Sequence, residues 1–333
     1  MQNILLIDFE PSEIWNFDRL LEKKTNEKWI TVKQVSNLNQ GNKLQTIIRY
    51  LKYFWLPLKV VLKGKSIKKI LAWQQFYGII YAFYVRVLRK SNYADLYIMT
   101  FIYKKKSGVI GSIYEKFIKY SLESKCVKEV FVFSDTEPSY YSKALGFDIS
   151  KFRAINLGVE DYYRKQKYDK GENDKFYLSI GRSNRDYEYL IHSWKSSWGK
   201  LIIVTDMSIK EDYNHSNIEI IRGCYEQDYY DLLYKSYAVI IPLSDENISS
   251  GELVTIQAGM FGKPTIATYN RTLKNYIENG VNGFMCLKCD LSNYIEKLNN
   301  TLLYNHMCVA SRKKYEQKYS LDNMAREIAE CMQ

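Results

Sequence analysis

Two short segments carry residues whose types and spacing suit the binding of a diphosphate. The first is Ser179-Ile180-Gly181-Arg182-Ser183-Asn184-Arg185-Asp186, where an apolar run ends at a glycine and two arginines follow, three apart. Arginine presents a planar fork of donors that matches phosphate oxygens. Just past the carboxyl end of a parallel strand, Arg182 and Arg185 would stand where open α/β sheets bind their ligands. Read blandly, the same residues are surface arginines in an ordinary strand-to-helix turn.

The second segment is Ile248-Ser249-Ser250-Gly251-Glu252-Leu253-Val254-Thr255-Ile256-Gln257-Ala258-Gly259. It follows an apolar run at 238–242 and opens a helix. A helix start presents unbonded amides and the positive end of a dipole, which together attract phosphate. Gly251 has no Cβ to hold an anion away. Ser249-x-x-Glu252 also has the form of a capping box, which starts helices of every kind. That explains the serine and the glutamate but not the glycine. Further on, Gly262-Lys263-Pro264 and Glu278-Asn279-Gly280-Val281-Asn282-Gly283 read as a helix stop and a tight turn.

The elements needed to position these residues can be read from hydrophobic patterning. In the first half, strands are expected at 4–8, 29–35, 69–72, 96–100, 130–133 and 153–157. Helix-length segments separate them, which predicts a parallel sheet. Residues 160–175 are almost entirely polar and read as an exposed linker. A second alternation follows, with strands expected at 176–180, 200–205, 218–221, 238–242 and 264–267 and helices at 187–194, 227–235 and 251–261. The end, from 291, is largely helical. The 333 residues suffice for two α/β domains with full cores and a cleft between them.

As an ordered set these motifs resemble the donor-binding half of family 4 retaining glycosyltransferases, of the bacterial surface-polysaccharide type. The set is Gly181-Arg182, Tyr237-Ala238-Val239-Ile240-Ile241-Pro242, Ser250-Gly251-Glu252 with Gln257-Ala258-Gly259, Gly262-Lys263-Pro264 and Glu278-Asn279-Gly280-Val281-Asn282-Gly283. The resemblance spans 176 to about 287. Across 1–159 it rests on strand order and on Leu71-Ala72-Trp73-Gln74-Gln75-Phe76-Tyr77-Gly78.

The resemblance implies an α/β chain of GT-B fold, two Rossmann-like domains facing each other across a cleft. Residues 1–165 would form the acceptor-binding domain, with a helix of about 318–333 packing back on it, and 166–317 the nucleotide-sugar domain. Arg182 and Arg185 match the family's donor-diphosphate cations. Ser250, Gly251, Glu252 and Leu253 match the loop and helix start that face donor phosphate or sugar. Gln257 stands for the second glutamate of the family's Glu-x7-Glu motif, which holds the ribose, and Ser249 stands for the first, near the donor sugar. Gly223, Cys224 and Tyr225 fall where the nucleobase is contacted. The histidine near the reacting sugar is absent, and Gln74 or Gln75 occupies that neighbourhood; the catalytic residue is unassigned, with Gln74, Gln75 and Glu246 as candidates. Asp8-Phe9-Glu10-Pro11-Ser12 lacks the family's glycine-rich turn.

The implied activity is retaining transfer of a hexosyl group from a nucleotide sugar, UDP-linked rather than GDP-linked, to a lipid-linked or polysaccharide acceptor in cell-surface glycan biosynthesis. No cofactor is implied, and with no Asp-x-Asp motif, no metal. Two other readings share the fold: a sugar-nucleotide epimerase and a catalytically inactive regulatory subunit.

Charge adds a partner. The net charge is +11, yet 18 basic and 3 acidic side chains lie between Asn42 and Lys128, a local excess of +15 that leaves −4 for the rest. Such a segment attracts anionic lipid headgroups. It is interleaved with Tyr53, Phe54, Trp55, Leu56, Tyr77, Tyr81, Phe83 and Tyr84. Nucleic acid is not expected, because no reading module accompanies the charge. The uncharged stretch 70–85 is too short to span a bilayer, which takes about 18–20 apolar residues. The opening Met1-Gln2-Asn3-Ile4-Leu5-Leu6-Ile7-Asp8 reads as a buried strand rather than a leader. A cytoplasmic protein, peripheral on the inner face of the cell membrane, is expected. The six cysteines have irregular spacing, and Cys286-x-x-Cys289 has neither a second pair nor a nearby histidine to make a zinc site.

Overall fold

The computed structural model describes residues 2–34, 43–63, 66–165, 175–209, 216–248 and 250–333. Ser249, Val35, Lys65 and most of the polar stretch (166–174) lie outside them. The chain divides into two compact units: Met1–Leu157 with Leu321–Gln333, and Gly158–Ser320. These divisions fall a few residues from the expected 165 and 317. The reason at the first is local: Tyr162 stacks on Tyr230 with ring centroids 3.9 Å apart, and Asp161 pairs with Arg312, so 158–165 belongs to the second unit.

The first unit alternates β1 (Gln2–Ile7), α1 (Phe17–Thr25), β2 (Trp29–Lys33), α2 (Lys43–Lys63), β3 (Ile67–Ala72), α3 (Gln75–Val87), β4 (Asp95–Ile98), α4 (Gly108–Leu122), β5 (Val127–Val132), α5 (Glu137–Leu145) and β6 (Phe152–Ala154). All the strands pair in parallel, in the order β2-β1-β3-β4-β5-β6. In β1 the continuous apolar run Ile4-Leu5-Leu6-Ile7 has no polar alternation, the mark of a strand covered on both faces. On one face Ile4, Leu6, Ile70 and Ile98 pack under α2, α3 and α4; on the other, Leu5, Leu71, Tyr97 and Phe131 pack under α1 and the C-terminal helix.

The second unit runs α6 (Tyr162–Lys165), β7 (Phe176–Ile180), α7 (Tyr187–Ser193), β8 (Lys200–Val204), β9 (Ile218–Ile221), α8 (Glu226–Lys235), β10 (Ala238–Ile241), α9 (Glu252–Met260), β11 (Thr265–Thr268), β12 (Gly283–Cys286), α10 (Leu291–Lys297) and α11 (Thr301–Lys314). Its parallel sheet has the order β12-β11-β10-β7-β8-β9. Counted from β7, that is the dinucleotide-fold order 3-2-1-4-5-6 read from the opposite edge, and the order reverses between β7 and β10. A five-residue π-helical turn, Tyr315–Tyr319, ends α11.

The chain then returns to the first unit as α12 (Leu321–Cys331), where Met324, Ala325 and Ile328 are buried against its sheet. Lys24 of α1 pairs with Asp322 at 2.9 Å, and Glu327 accepts from the backbone and side chain of Asn156.

The aromatic-rich cationic segment sorts differently from its sequence pattern. Tyr53, Leu56, Tyr77 and Tyr81 are buried in the core of the first unit. Their spacing places them on the inner faces of α2 and α3, while Leu51, Phe54, Trp55 and Leu62 remain exposed. Lys68 and Lys69 are both engaged by Glu27. Among the described residues no helix is long and apolar enough to cross a membrane.

Candidate functional site

The site is built at the point where the strand order of the second unit reverses. β7 is buried throughout and delivers Gly181 at its carboxyl end with φ +133°, a backbone region side chains rarely adopt. The turn that follows is tied to the end of the neighbouring strand β10. Asp186 N–H donates to Pro242 O at 2.8 Å, and Arg185 and Leu243 form an antiparallel bridge.

Arg185 is buried, with 7% of its surface exposed. Its Nε donates to Ile180 O (3.1 Å) and its Nη1 to Ser183 O (2.9 Å). Gly181 makes room for it: a Cβ there would stand 2.6 Å from Nη2. Burial lowers the pKa of its guanidinium, while Tyr187, the carboxylate of Glu252 and Tyr229 act in the opposite direction. A buried cation held by two neutral carbonyls favours an incoming anion. Arg182, by contrast, is exposed, its Nη1 3.9 Å from Asp206 Oδ2.

Beside them lies a cavity of about 210 Å³ lined by Gly181, Arg182, Asp206, Cys224, Tyr225 and Tyr229, among others. Asp206 follows β8 and closes one side. It accepts the Gly223 N–H at 3.0 Å and the Tyr225 hydroxyl at 2.7 Å, which holds its carboxyl below the usual range. Tyr229, on α8, donates its hydroxyl to Gln257 Oε1 of α9. Burial raises the Tyr229 phenol well above its ordinary value, so it stays a donor. Gln257 itself is buried and meets the cavity wall through Tyr229.

α9 begins at Glu252, with Gly251 at its cap in a left-handed conformation (φ +95°) and so without a capping side chain of its own. Gly251 stands at the cap, and the capping-box reading, which needs Ser249, falls outside the described residues. The role expected of Gly251 changes. A Cβ there would point at Ile241 Cγ2 (3.1 Å) and Leu273 Cδ1 (3.4 Å), into packed apolar side chains rather than towards an anion. Glycine is needed for the backbone turn and for close packing. Ser250 is buried and its hydroxyl accepts from Asn184. Glu252 is half-buried and Leu253 exposed in the first turn.

The remaining candidates have local partners. Glu246 is exposed, 3.8 Å from Arg271 Nη2. Gln74 caps α3, its Oε1 accepting from Phe76 N–H and its Nε2 donating to the Tyr53 hydroxyl. Gln75 Oε1 accepts from Ile102 N–H at 3.0 Å, bracing the loop after β4. The structure thus brings together Arg182, Cys224 and Tyr225 around one cavity, with Gly223 bonded to its wall through Asp206, and with Arg185, Gln257 and the α9 start adjoining its elements. Gln74 and Gln75 belong to the other unit. Cys286 is buried in β12.

No family model and no curated protein matches the sequence. Solved structures do match its fold. HepE from Anabaena, solved in complex with UDP-glucose, superposes with a TM-score of 0.63 at 14% identity, over 100% of this chain and 99% of that one. A glycosyltransferase from Rickettsia africae gives 0.65 at 15% identity, over 100% and 99%. WaaG, a glycosyltransferase involved in lipopolysaccharide biosynthesis, gives 0.62 at 12% identity, over 98% of each chain.

The chain has the GT-B fold. Its two parallel six-stranded sheets are the two Rossmann-like cores of that fold. Within the GT-B frame, two residues that sequence reading passed over stand out. Asp206 organises the cavity wall, and Asn184 ties the arginine turn to the loop before α9. Their partners are 17 to 66 residues away, so no local spacing marks them.

Proposed function

We propose that this chain is a glycosyltransferase that moves a hexosyl group from a UDP-sugar to a lipid-linked or polysaccharide acceptor, with retention at the anomeric carbon and without a metal. The observation that carries the reading is the Gly181–Arg185 turn, which places a buried, anion-seeking arginine and an exposed one beside a cavity at the strand-order reversal. Arg182 and Arg185 hold the diphosphate and stabilise the charge that builds on it as the sugar leaves. The first amides of α9 face the same groups. Tyr225 and Cys224 flank the base, and the Tyr229–Gln257 pair lies towards the ribose. The acceptor hydroxyl attacks from the leaving-group face, so that positioning does the work of a nucleophile. The complex of HepE with UDP-glucose supports the choice of uridine.

The acceptor is met at the cytoplasmic face of an anionic membrane. The cationic excess of the first unit supports this, and so does the outer face of α2. There Leu51, Phe54, Trp55, Leu58 and Tyr84 line an apolar groove of about 400 Å³, with Lys59 over the Trp55 ring.

Thermal unfolding with UDP, UDP-sugars and GDP tests the reading. A ligand at about 100 times its dissociation constant stabilises by about 2.7 kcal/mol. A shift with UDP is expected; no shift with any uridine nucleotide overturns the reading.

A further inference from the structure

The loop between β10 and α9 combines two properties seldom found together. The side chains of Ser244, Asp245, Glu246, Asn247 and Ile248 are all exposed, so packing does not fix it. Its backbone, however, is held from two sides by asparagines. Asn184 Oδ1 accepts the Asp245 N–H at 2.9 Å, while its Nδ2 donates to Asp245 O at 2.8 Å and to the Ser250 hydroxyl at 3.1 Å. The Asn184 carbonyl accepts the Ser244 N–H at 3.2 Å. From the other side the fully buried Asn270 donates to Ile248 O at 2.9 Å and to Asp245 O at 3.3 Å. Asn184 adopts φ +55°, which turns its side chain across the loop and which asparagine tolerates better than most residues.

Asn184 lies between Arg182 and Arg185. It therefore joins the turn that carries both cations to the loop that ends in Ser250 and the α9 start. We infer that Asn184 is a positioning residue for donor binding: it fixes the distance between the arginine turn and the α9 amides, so that both meet the same diphosphate. Asn270 is its counterpart on the far side. The inference rests on the nucleotide-sugar reading, since it needs one anion to be shared by the two segments.

The test uses the full chain, with UDP as the probe and hydrogen exchange of the 244–253 amides as a second measurement. Asn184→Gly keeps the left-handed backbone and removes the side-chain clamp. It is expected to weaken UDP binding by about tenfold, the equivalent of one or two lost hydrogen bonds, and to speed exchange at Asp245, with the Tm of the free protein little changed. Asn184→Asp keeps the acceptor for Asp245 N–H but sets a carboxylate oxygen against the Asp245 carbonyl and a negative charge between the two arginines, and should bind UDP no better than Asn184→Gly. If wild type binds UDP and Asn184→Gly binds it equally well, the inference is overturned and the nucleotide reading stands. If wild type does not bind UDP, the reading fails and the donor role falls with it, whatever the exchange shows. A Tm that falls in step with affinity would reduce Asn184 to a structural role and also overturn the inference.

Discussion

Arg185 shows how a single side chain can be both part of the structure and part of a site. Two of its nitrogens are spent on Ile180 and Ser183 carbonyls, which fix the guanidinium, while Glu252 at the start of α9 acts on its charge. Replacing it with alanine should therefore do two things. The free protein should lose about 1–3 kcal/mol, because buried carbonyls lose a charged donor. The Tm gain on adding UDP should largely disappear, whereas Arg182→Ala, an exposed change, should leave the free Tm nearly unaltered while still weakening UDP. Thermal unfolding of each variant with and without UDP separates the two effects. Gly251 makes the complementary case. Its φ of +95° and the 3.1 Å approach of Ile241 Cγ2 mean that Gly251→Val destabilises the fold before it can affect any ligand. A loss of about 2 kcal/mol or more is expected from the left-handed backbone and overpacking together, measured by urea unfolding; a fully stable valine variant would contradict the described turn.

At the scale of elements, the turn between α1 and β2 carries a clip that ties it to two neighbouring strands. Glu27 accepts from Asn3 of β1 and pairs with Lys68 and Lys69 of β3 at 2.5 and 2.9 Å. Burial pushes its pKa up, but the hydrogen bonds from Lys68, Lys69 and Asn3 outweigh this and bring it from 4.5 down to about 2. A depressed carboxyl stabilises the fold fully above its unfolded value and loses that contribution as pH falls through the folded one. Glu27→Gln should thus cost about 1–2 kcal/mol at pH 7, allowing for solvent screening. The gap to wild type should close as pH falls from 4.5 towards 2, as denaturant titrations at several pH values would show. Elements of this kind were legible where apolar runs are continuous: the positions of β1, β7 and β10 follow from runs that only a two-sided burial accommodates. The places of the two arginines and Gly251 at the ends of β7 and α9 were legible because they sit at fixed offsets from strand or helix ends, though the packing that Gly251 serves was not. Asn184 and Asp206 were not, since polar residues in a turn look alike until the long-range backbone they serve is in place. The aromatic residues of α2 and α3 misled for the opposite reason. Basic residues and tyrosines share those helices at helical spacing, and only packing against the sheet decides that Tyr53 and Tyr81 turn inward while Trp55 and Phe54 do not.

For the whole molecule, charge and chain path matter most. The cations that outnumber acids 18 to 3 between Asn42 and Lys128 include Lys52, Lys59 and Lys63 on α2, beside the exposed Phe54 and Trp55. Binding to vesicles rich in acidic lipid should exceed binding to neutral ones at low salt and weaken as salt shortens the reach of charge to about 8 Å or less. Changing the three lysines to glutamine should remove the salt-sensitive part, and Trp55→Ser the part that salt does not touch; equal binding to both vesicle types would overturn the membrane proposal. The path of the chain has its own consequence. The first unit is interrupted: 157 residues are followed by the whole second unit before α12 supplies Met324, Ala325 and Ile328 to the first sheet. During synthesis the second unit is complete as soon as Ser320 has emerged, whereas the first waits, one sheet face covered by α1 alone, through the translation of everything between. At about 5–20 residues per second that wait is roughly ten to thirty seconds. A chain cut off just before Leu321 would thus carry a finished second unit beside an unfinished first sheet, and chaperones should hold it where they release the full chain.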